Sequence, residues 1–355
     1  MSADIPFHQL PIAPLLEEGM LALDDGQQVA YEVSGVEHGV PALYLHGGPG
    51  GRLTSGYRRN VPVDACRAVG MTQRGAPGSI PTAADASFDL ASCTTDRMIA
   101  DIEAMREHLE ITAWIVQGVS WGSTLALAYA QAHPERVLGI VCMAVTSTSR
   151  REVDWITEGV GQIYPEAWDR FASFAERHGV FDRNDRSGGR TRLVEAYRRL
   201  LAADDHALVA AAAEEWMRWE DAHIAIGAGG PGAAHLPDPA SLSAVERREE
   251  ERYRLGFARL VTHVWAHDAW RGEHGILDRM DAIADIPGVL IHGRKDVSGP
   301  AITAWELHRA WPASRLIVVE EEGHGGPIMA AHWRDAMHEL VARVRRPTNC
   351  WPAPD

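Results

Sequence analysis

Gly118-Val119-Ser120-Trp121-Gly122 is the segment of this chain with the plainest chemical content. A serine with glycine two positions to either side suits a sharp turn from a strand into a helix. Such a turn lifts the hydroxyl clear of the sheet, and only small flanking residues avoid a backbone clash. The apolar run before it and the Ser-Thr-Leu-Ala-Leu-Ala run after it predict that strand and that helix. Ser120 is therefore a candidate nucleophile, and the backbone N–H of Trp121, at the helix start, a candidate donor to an oxyanion. The plainer alternative is an ordinary glycine-bounded turn.

A second signal is His46-Gly47-Gly48-Pro49-Gly50-Gly51, which follows the apolar run Pro41 to Leu45. Glycines let a main chain approach a substrate carbonyl oxygen, so this loop suits the other half of an oxyanion hole. Gly48 is favoured as its donor, with Gly47 as the alternative. The loop lacks the G-x-x-x-x-G-K-[ST] pattern of a phosphate cradle. An acid and then a histidine should follow in chain order. Val-Leu-Ile-His-Gly runs into Arg294-Lys295-Asp296, which places Asp296 at the C-terminal end of a strand. Arg-Leu-Ile-Val-Val leads to Gly323-His324-Gly325-Gly326, ahead of a helix. In that reading Asp296 fixes the imidazole tautomer and His324 takes the serine proton. Asp285, His292 and His308 are rivals that fit the strand-end position less well. Thr72-Gln73-Arg74-Gly75 also follows a strand, and Arg74 is expected to tie two loops together.

These residues need a parallel sheet to hold them. Strands are expected at Gln28–Ser34, Pro41–Leu45, Ala65–Thr72, Ala113–Gln117 and Val137–Ala144, with helices at Thr95–Leu109 and Ser123–Ala132. Strands alternating with helices imply a parallel sheet covered on both faces. From about Thr146 to Leu277 the pattern becomes helical, with helices expected at Glu166–His178, Thr191–Ala203, Asp205–His223 and Ala244–His267. The Gly/Ala/Pro stretch Gly227–Pro239 reads as a mobile loop. Strands at Val289–His292 and Arg315–Val319 and a helix at Ala330–Val344 close the chain. The division is an α/β core from 1–145 and 278–355, with a helical cap at 146–277 inserted into it.

Composition narrows the functions. A formal net charge of −15 repels phosphate backbones and anionic membranes, which argues against nucleic-acid or membrane partners. Cys66, Cys93, Cys142 and Cys350 show no C-x-x-C spacing, so neither a zinc site nor a disulfide framework is expected. No metal or organic cofactor is called for. No apolar run approaches the roughly 18 residues of a membrane span. The N-terminus lacks the pattern of a secretory signal, so a cytoplasmic location is expected.

Together, HGGPGG, QRG, SWGSTLALAYAQ-HPERV, GR-x-D and a late Gly-His resemble the proline iminopeptidases, a family of α/β-hydrolase-fold serine peptidases. The resemblance runs over roughly residues 25–345. It implies Ser120, Asp296 and His324 as triad, Gly48 and Trp121 as oxyanion donors, and a small-molecule or short-peptide substrate. It further implies that the cap supplies two glutamates for the free amine of an N-terminal proline. Trp216-Met217-Arg218-Trp219-Glu220 matches the first of these segments, which makes Trp219 and Glu220 candidate binding residues. The second segment reads Ala258-Arg259-Leu260-Val261-Thr262-His263, with Val261 where the family has its other glutamate. Glu214, Glu215, Asp221 and Asp268 are candidates to compensate. Thr72 departs from the family's D-Q-R-G. A relative cleaving an ester, lactone or amide without a free amine, and a binding protein without turnover, are the competing functions.

Overall fold

The computed structural model describes residues 7–185, 189–224, 242–272 and 275–345. The Gly227–Pro239 stretch, Cys350 and the tail from residue 346 lie outside the described residues. Eight strands form one sheet: β1 (Leu15–Ala22), β2 (Gln28–Gly35), β3 (Val40–Leu45), β4 (Cys66–Met71), β5 (Trp114–Val119), β6 (Val137–Met143), β7 (Gly288–Gly293) and β8 (Ser314–Val319). Their spatial order is β1-β2-β4-β3-β5-β6-β7-β8. The β1–β2 and β2–β4 pairs are antiparallel and the other five are parallel.

The parallel strands are buried on both faces, as their unbroken apolar runs require. Every residue of β7 is buried, as are the first five of β5. Helices α1 (Thr95–His108), α2 (Trp121–Ala132) and α8 (Ile302–Ala310) cover one face, and α9 (Pro327–Arg345) covers the other. Strand β1 and helix α8 were not foreseen from the sequence. All but two of the eight β1 residues are exposed, so the segment carries no apolar alternation to read. Helix α8 begins after Ala301, which supplies no side-chain cap.

Between β6 and β7 the described chain is helical: α3 (Arg150–Thr157), α4 (Pro165–Arg177), α5 (Leu193–Leu200), α6 (His206–Ile224) and α7 (Ala244–Ala266). These helices share a core of their own. Phe171 stacks on Tyr197 at 4.2 Å and on Trp219 at 5.3 Å, with Trp216 packed edge-on at 5.6 Å. Offset and edge contacts of this kind add to what aromatic burial alone contributes. Helix α3, also unforeseen, is short and opens on charged residues. Its one sequence signal is the capping box of Ser149 and Glu152. Trp155 on α3 donates its indole N–H to the Val297 carbonyl at 2.8 Å, which fastens this helix beside the loop carrying Asp296.

Arg74 does join separate segments, though they are not the loops nearest Ser120. Its fully buried guanidinium donates to both oxygens of Asp101 on α1, at 2.7 and 2.5 Å, and to Asp25 in the β1–β2 turn at 2.8 Å. Removing one member of a buried pair leaves the other charged and dry, which costs about 3–5 kcal/mol. Arg74→Met should therefore lower stability by about that much in urea unfolding, and adding Asp101→Leu should recover most of it. Equal losses in the single and double variants would show that the ion pair does not hold this corner.

Candidate active site

The turn between β5 and α2 puts Ser120 at φ 55°, ψ −126°. Such a conformation persists in a non-glycine residue only where the surroundings impose it. A Cβ at Gly118 would lie 2.1 Å from the Gly122 carbonyl oxygen, and one at Gly122 would lie 2.2 Å from that of Leu45. Neither glycine can be replaced without moving backbone. Ser120 N–H donates to the Met143 carbonyl at 3.0 Å. The Ser120 carbonyl accepts from the hydroxyls of Ser123 at 2.6 Å and Thr146 at 2.9 Å.

Asp296 and His324 meet Ser120 from two loops at the same sheet edge. His324 Nε2 lies 3.0 Å from Ser120 Oγ, and His324 Nδ1 lies 2.8 Å from Asp296 Oδ2. Since Oδ2 of the carboxylate can only accept, Nδ1 carries the proton and Nε2 turns its lone pair on the serine hydroxyl. The second carboxylate oxygen accepts from the backbone N–H groups of Ser298 at 3.1 Å and Gly299 at 3.0 Å. Burial opposes charge at both side chains. Their mutual attraction outweighs it, holding the Asp296 carboxyl below its usual range and the His324 imidazole above its own.

The loops themselves are tied down. Lys295 N–H donates to the Glu322 carbonyl at 2.9 Å, and the buried Glu322 carboxylate accepts from Ile328 and Met329 N–H at the start of α9. That cap anchors the turn bearing His324. The rivals have other work. His292 accepts from Val145 N–H and donates to the Gly299 carbonyl at 2.6 Å. His308 pairs with Ser314, and Asp285 is exposed.

The glycine loop lies against the serine: a Cβ on Gly47 would stand 3.3 Å from Ser120 Cβ. Gly48 has φ 120°, open to glycine and rarely to other residues. Trp121 is the first helical residue, so its N–H belongs to the group that no helix carbonyl satisfies. Gln73 holds these parts together. Its amide N–H donates to the His46 carbonyl at 2.8 Å, its backbone N–H donates to His46 Nε2 at 3.1 Å, and its Oε1 accepts from the Trp121 indole at 2.7 Å. Burial keeps His46 neutral, down to about 4, as an acceptor at Nε2 requires. Thr72 pins β2 instead, exchanging hydrogen bonds with the Ala30 backbone at 2.9 and 3.2 Å.

Ser120, Trp121, Gly47, Gly48 and His324 open on a cavity of about 360 Å³, room for a small ligand. Met217, Glu220, Asp221 and His223 of α6, and Tyr253 and Phe257 of α7, form its far wall. Glu220 is buried and accepts from the Trp216 indole at 3.1 Å; burial lifts its carboxyl to about 7. Trp219 and Val261 are not in the cavity wall. Both lie in the core of the inserted helices, where Trp219 donates to the Ile156 carbonyl at 3.0 Å. Of the acids weighed as substitutes, only Asp221 faces the cavity. Glu214 and Glu215 pair with Arg218, and Asp268 pairs with Arg150. Glu152 lines the cavity as well, with one oxygen held by Ser147.

Residues 41–329 match the model of the alpha/beta hydrolase fold family. The chain is 41 % identical over 313 residues to a probable proline iminopeptidase of Streptomyces coelicolor, covering 87 % of this chain and 90 % of that protein. It is 37 % identical to the proline iminopeptidase of Neisseria gonorrhoeae, covering 96 % and 98 %. Among solved structures, the proline iminopeptidase of Mycobacterium smegmatis superposes with a TM-score of 0.53 at 17 % identity, covering 92 % of this chain and all of that one, a likeness of fold. The chain belongs to the proline iminopeptidase family of α/β-hydrolase-fold serine hydrolases.

Proposed function

We propose that the chain releases N-terminal proline, or a similar small residue, from short peptides, with Ser120, His324 and Asp296 as its catalytic triad. The observation that carries this reading is the buried Glu220 carboxyl on the wall of the cavity into which Ser120 opens. The names of the relatives agree with it. A scissile carbonyl beside Ser120 would be attacked by Oγ as His324 Nε2 takes the proton, and Asp296 would stabilise the imidazolium. The backbone N–H groups of Gly48 and Trp121 would receive the oxyanion. His324 would then protonate the leaving amine, and water would repeat the sequence to free the acid. Glu220 would hold the substrate ammonium.

Residues 146–277 would act as the cap that selects the substrate, over a core formed by 1–145 and 278–355. Among the described residues no helix is long and apolar enough to cross a membrane. Work on short peptides in the cytoplasm suits that, and suits the free buried thiols of Cys66, Cys93 and Cys142. The second reading is a hydrolase of esters, lactones or amides without a free amine. Val261 favours it through the resemblance alone: the family's second carboxylate position is uncharged here, and its side chain lies in the core of the inserted helices, outside the cavity wall.

Ser120→Ala should lower kcat on a prolyl arylamide by roughly 10⁶ and abolish labelling by a serine-directed phosphonate. Retained labelling would place the nucleophile elsewhere. Glu220→Gln should raise KM for the free-amine substrate about tenfold to a hundredfold and spare its N-acylated analogue. An equal effect on both would remove the ammonium role.

The pH profile follows from the two shifted groups. His324 must be neutral to accept a proton and its range is raised, so activity on any substrate should fall as pH drops through a value above 6.5. Free-amine substrates also need Glu220 ionised, so their kcat/KM should fall through about 7 as well. The steeper acid limb should revert to a single step in Glu220→Gln. A single step in the unmodified enzyme would show that Glu220 does not titrate with binding.

A further inference from the structure

His223 is a buried residue of the cavity wall that the mechanism above leaves unused. Its protonation can be read from its partners. The Ser298 hydroxyl lies 3.2 Å from the His223 carbonyl oxygen and 2.7 Å from His223 Nδ1, and its one hydrogen can serve only one of them. Both contacts are hydrogen bonds only when the hydroxyl gives its hydrogen to the carbonyl and Nδ1 donates to the hydroxyl, and in that tautomer Nε2 is left with a lone pair. That nitrogen is buried without a hydrogen-bond partner, 3.6 Å from Glu220 Oε2. The Trp219 ring packs edge-on against the imidazole at 5.3 Å and fixes its plane.

Glu220 is buried beside it. Its Oε1 is occupied by the Trp216 indole, so Oε2 is the oxygen that faces Nε2. In that tautomer two acceptors stand side by side in the cavity wall and need a donor between them. Either a proton sits on Glu220, or a ligand N–H group is received by both. We propose that His223 Nε2 is the second acceptor for the substrate amine, standing in for the absent carboxylate, so that one ammonium donates to Glu220 Oε2 and to a neutral imidazole. This rests on the aminopeptidase reading.

The donor count then selects the substrate. A secondary ammonium, as at an N-terminal proline, has two N–H groups for two acceptors. A primary ammonium has a third, which these two acceptors leave over, at a cost in a dry site. Glu220 and Asp221 on α6, Tyr253 on α7, and His324 and Asp296 at the sheet edge are the titratable groups around the imidazole. Burial, and the positive charge of His324 when protonated, push His223 down to about 3, against the opposing pull of Asp296. It therefore remains a neutral acceptor while Glu220 ionises.

The test compares the intact enzyme with His223→Asn and His223→Gln on prolyl and alanyl arylamides and an N-acylated aryl ester. Asparagine can keep an N–H near the Nδ1 position but offers nothing at Nε2, whereas the longer glutamine can return an acceptor there. His223→Asn should raise KM for the prolyl substrate about tenfold more than for the ester and narrow the prolyl-over-alanyl preference. His223→Gln should recover part of both effects. In the unmodified enzyme, L-proline should move the ¹⁵N resonance of His223 Nε2 as its lone pair takes up a hydrogen bond. Equal losses on amine and ester would make His223 a support for the Asp296 loop through Ser298, and an unmoved resonance would equally overturn the proposal. An unmodified enzyme that ignores free-amine substrates would overturn the aminopeptidase reading and this inference with it. Cleavage of prolyl substrate unaffected in His223→Asn would overturn the inference alone.

Discussion

The backbone at Ser120 takes a conformation that costs energy, and the sheet around it leaves no other available. The glycines on either side of the serine are pressed by the carbonyls of Gly122 and Leu45 and have no room for a methyl group. The serine's own N–H and carbonyl are spoken for by Met143, Ser123 and Thr146. Strain of this kind, about 1–3 kcal/mol, persists only where the surroundings over-determine it. Once the turn is fixed, the positions of the other parts follow. The serine hydroxyl must point at the sheet edge, the histidine must arrive from the loop after β8, and Trp121 N–H must face the same space.

Around that turn the electrostatics separate three buried histidines from the half-buried His324. His46, His292 and His223 are held neutral, each with one nitrogen at hydrogen-bond distance from a nearby oxygen. Burial lowers all three. His324 alone faces a buried carboxylate at hydrogen-bond distance and is raised. The difference lies in the partner, since burial acts in the same direction on all four.

Much of this could be read from the residues. The parallel strands announce themselves because burial on both faces requires continuous apolar runs, and the nucleophile turn does so because only glycine tolerates its crowding. The aspartate and histidine loops followed from chain order. Other parts leave weak traces. Strand β1 is exposed and unpatterned, and α3 is eight residues opening on charge. Gln73 resembles any polar loop residue until its three partners are seen. The gap between Trp219 or Val261 and the cavity was hidden for a different reason. A helix period tells that a residue is buried, and cannot tell whether it faces a core or a ligand. His223 was one of seventeen histidines, and only its buried Nε2, turned towards Glu220, distinguishes it.

The glycine loop touches more than the serine. At Gly50 a Cβ would meet Phe257 Cα at 3.2 Å and Leu260 at 3.1 Å, so α7 rests directly on the loop that carries Gly48. Phe257 also lines the cavity. A change in α7 that reshapes the pocket for a new substrate is therefore felt by the loop beside the reacting carbonyl. Selectivity and turnover share one mechanical part, and a lineage of these enzymes cannot drift in one without retuning the other.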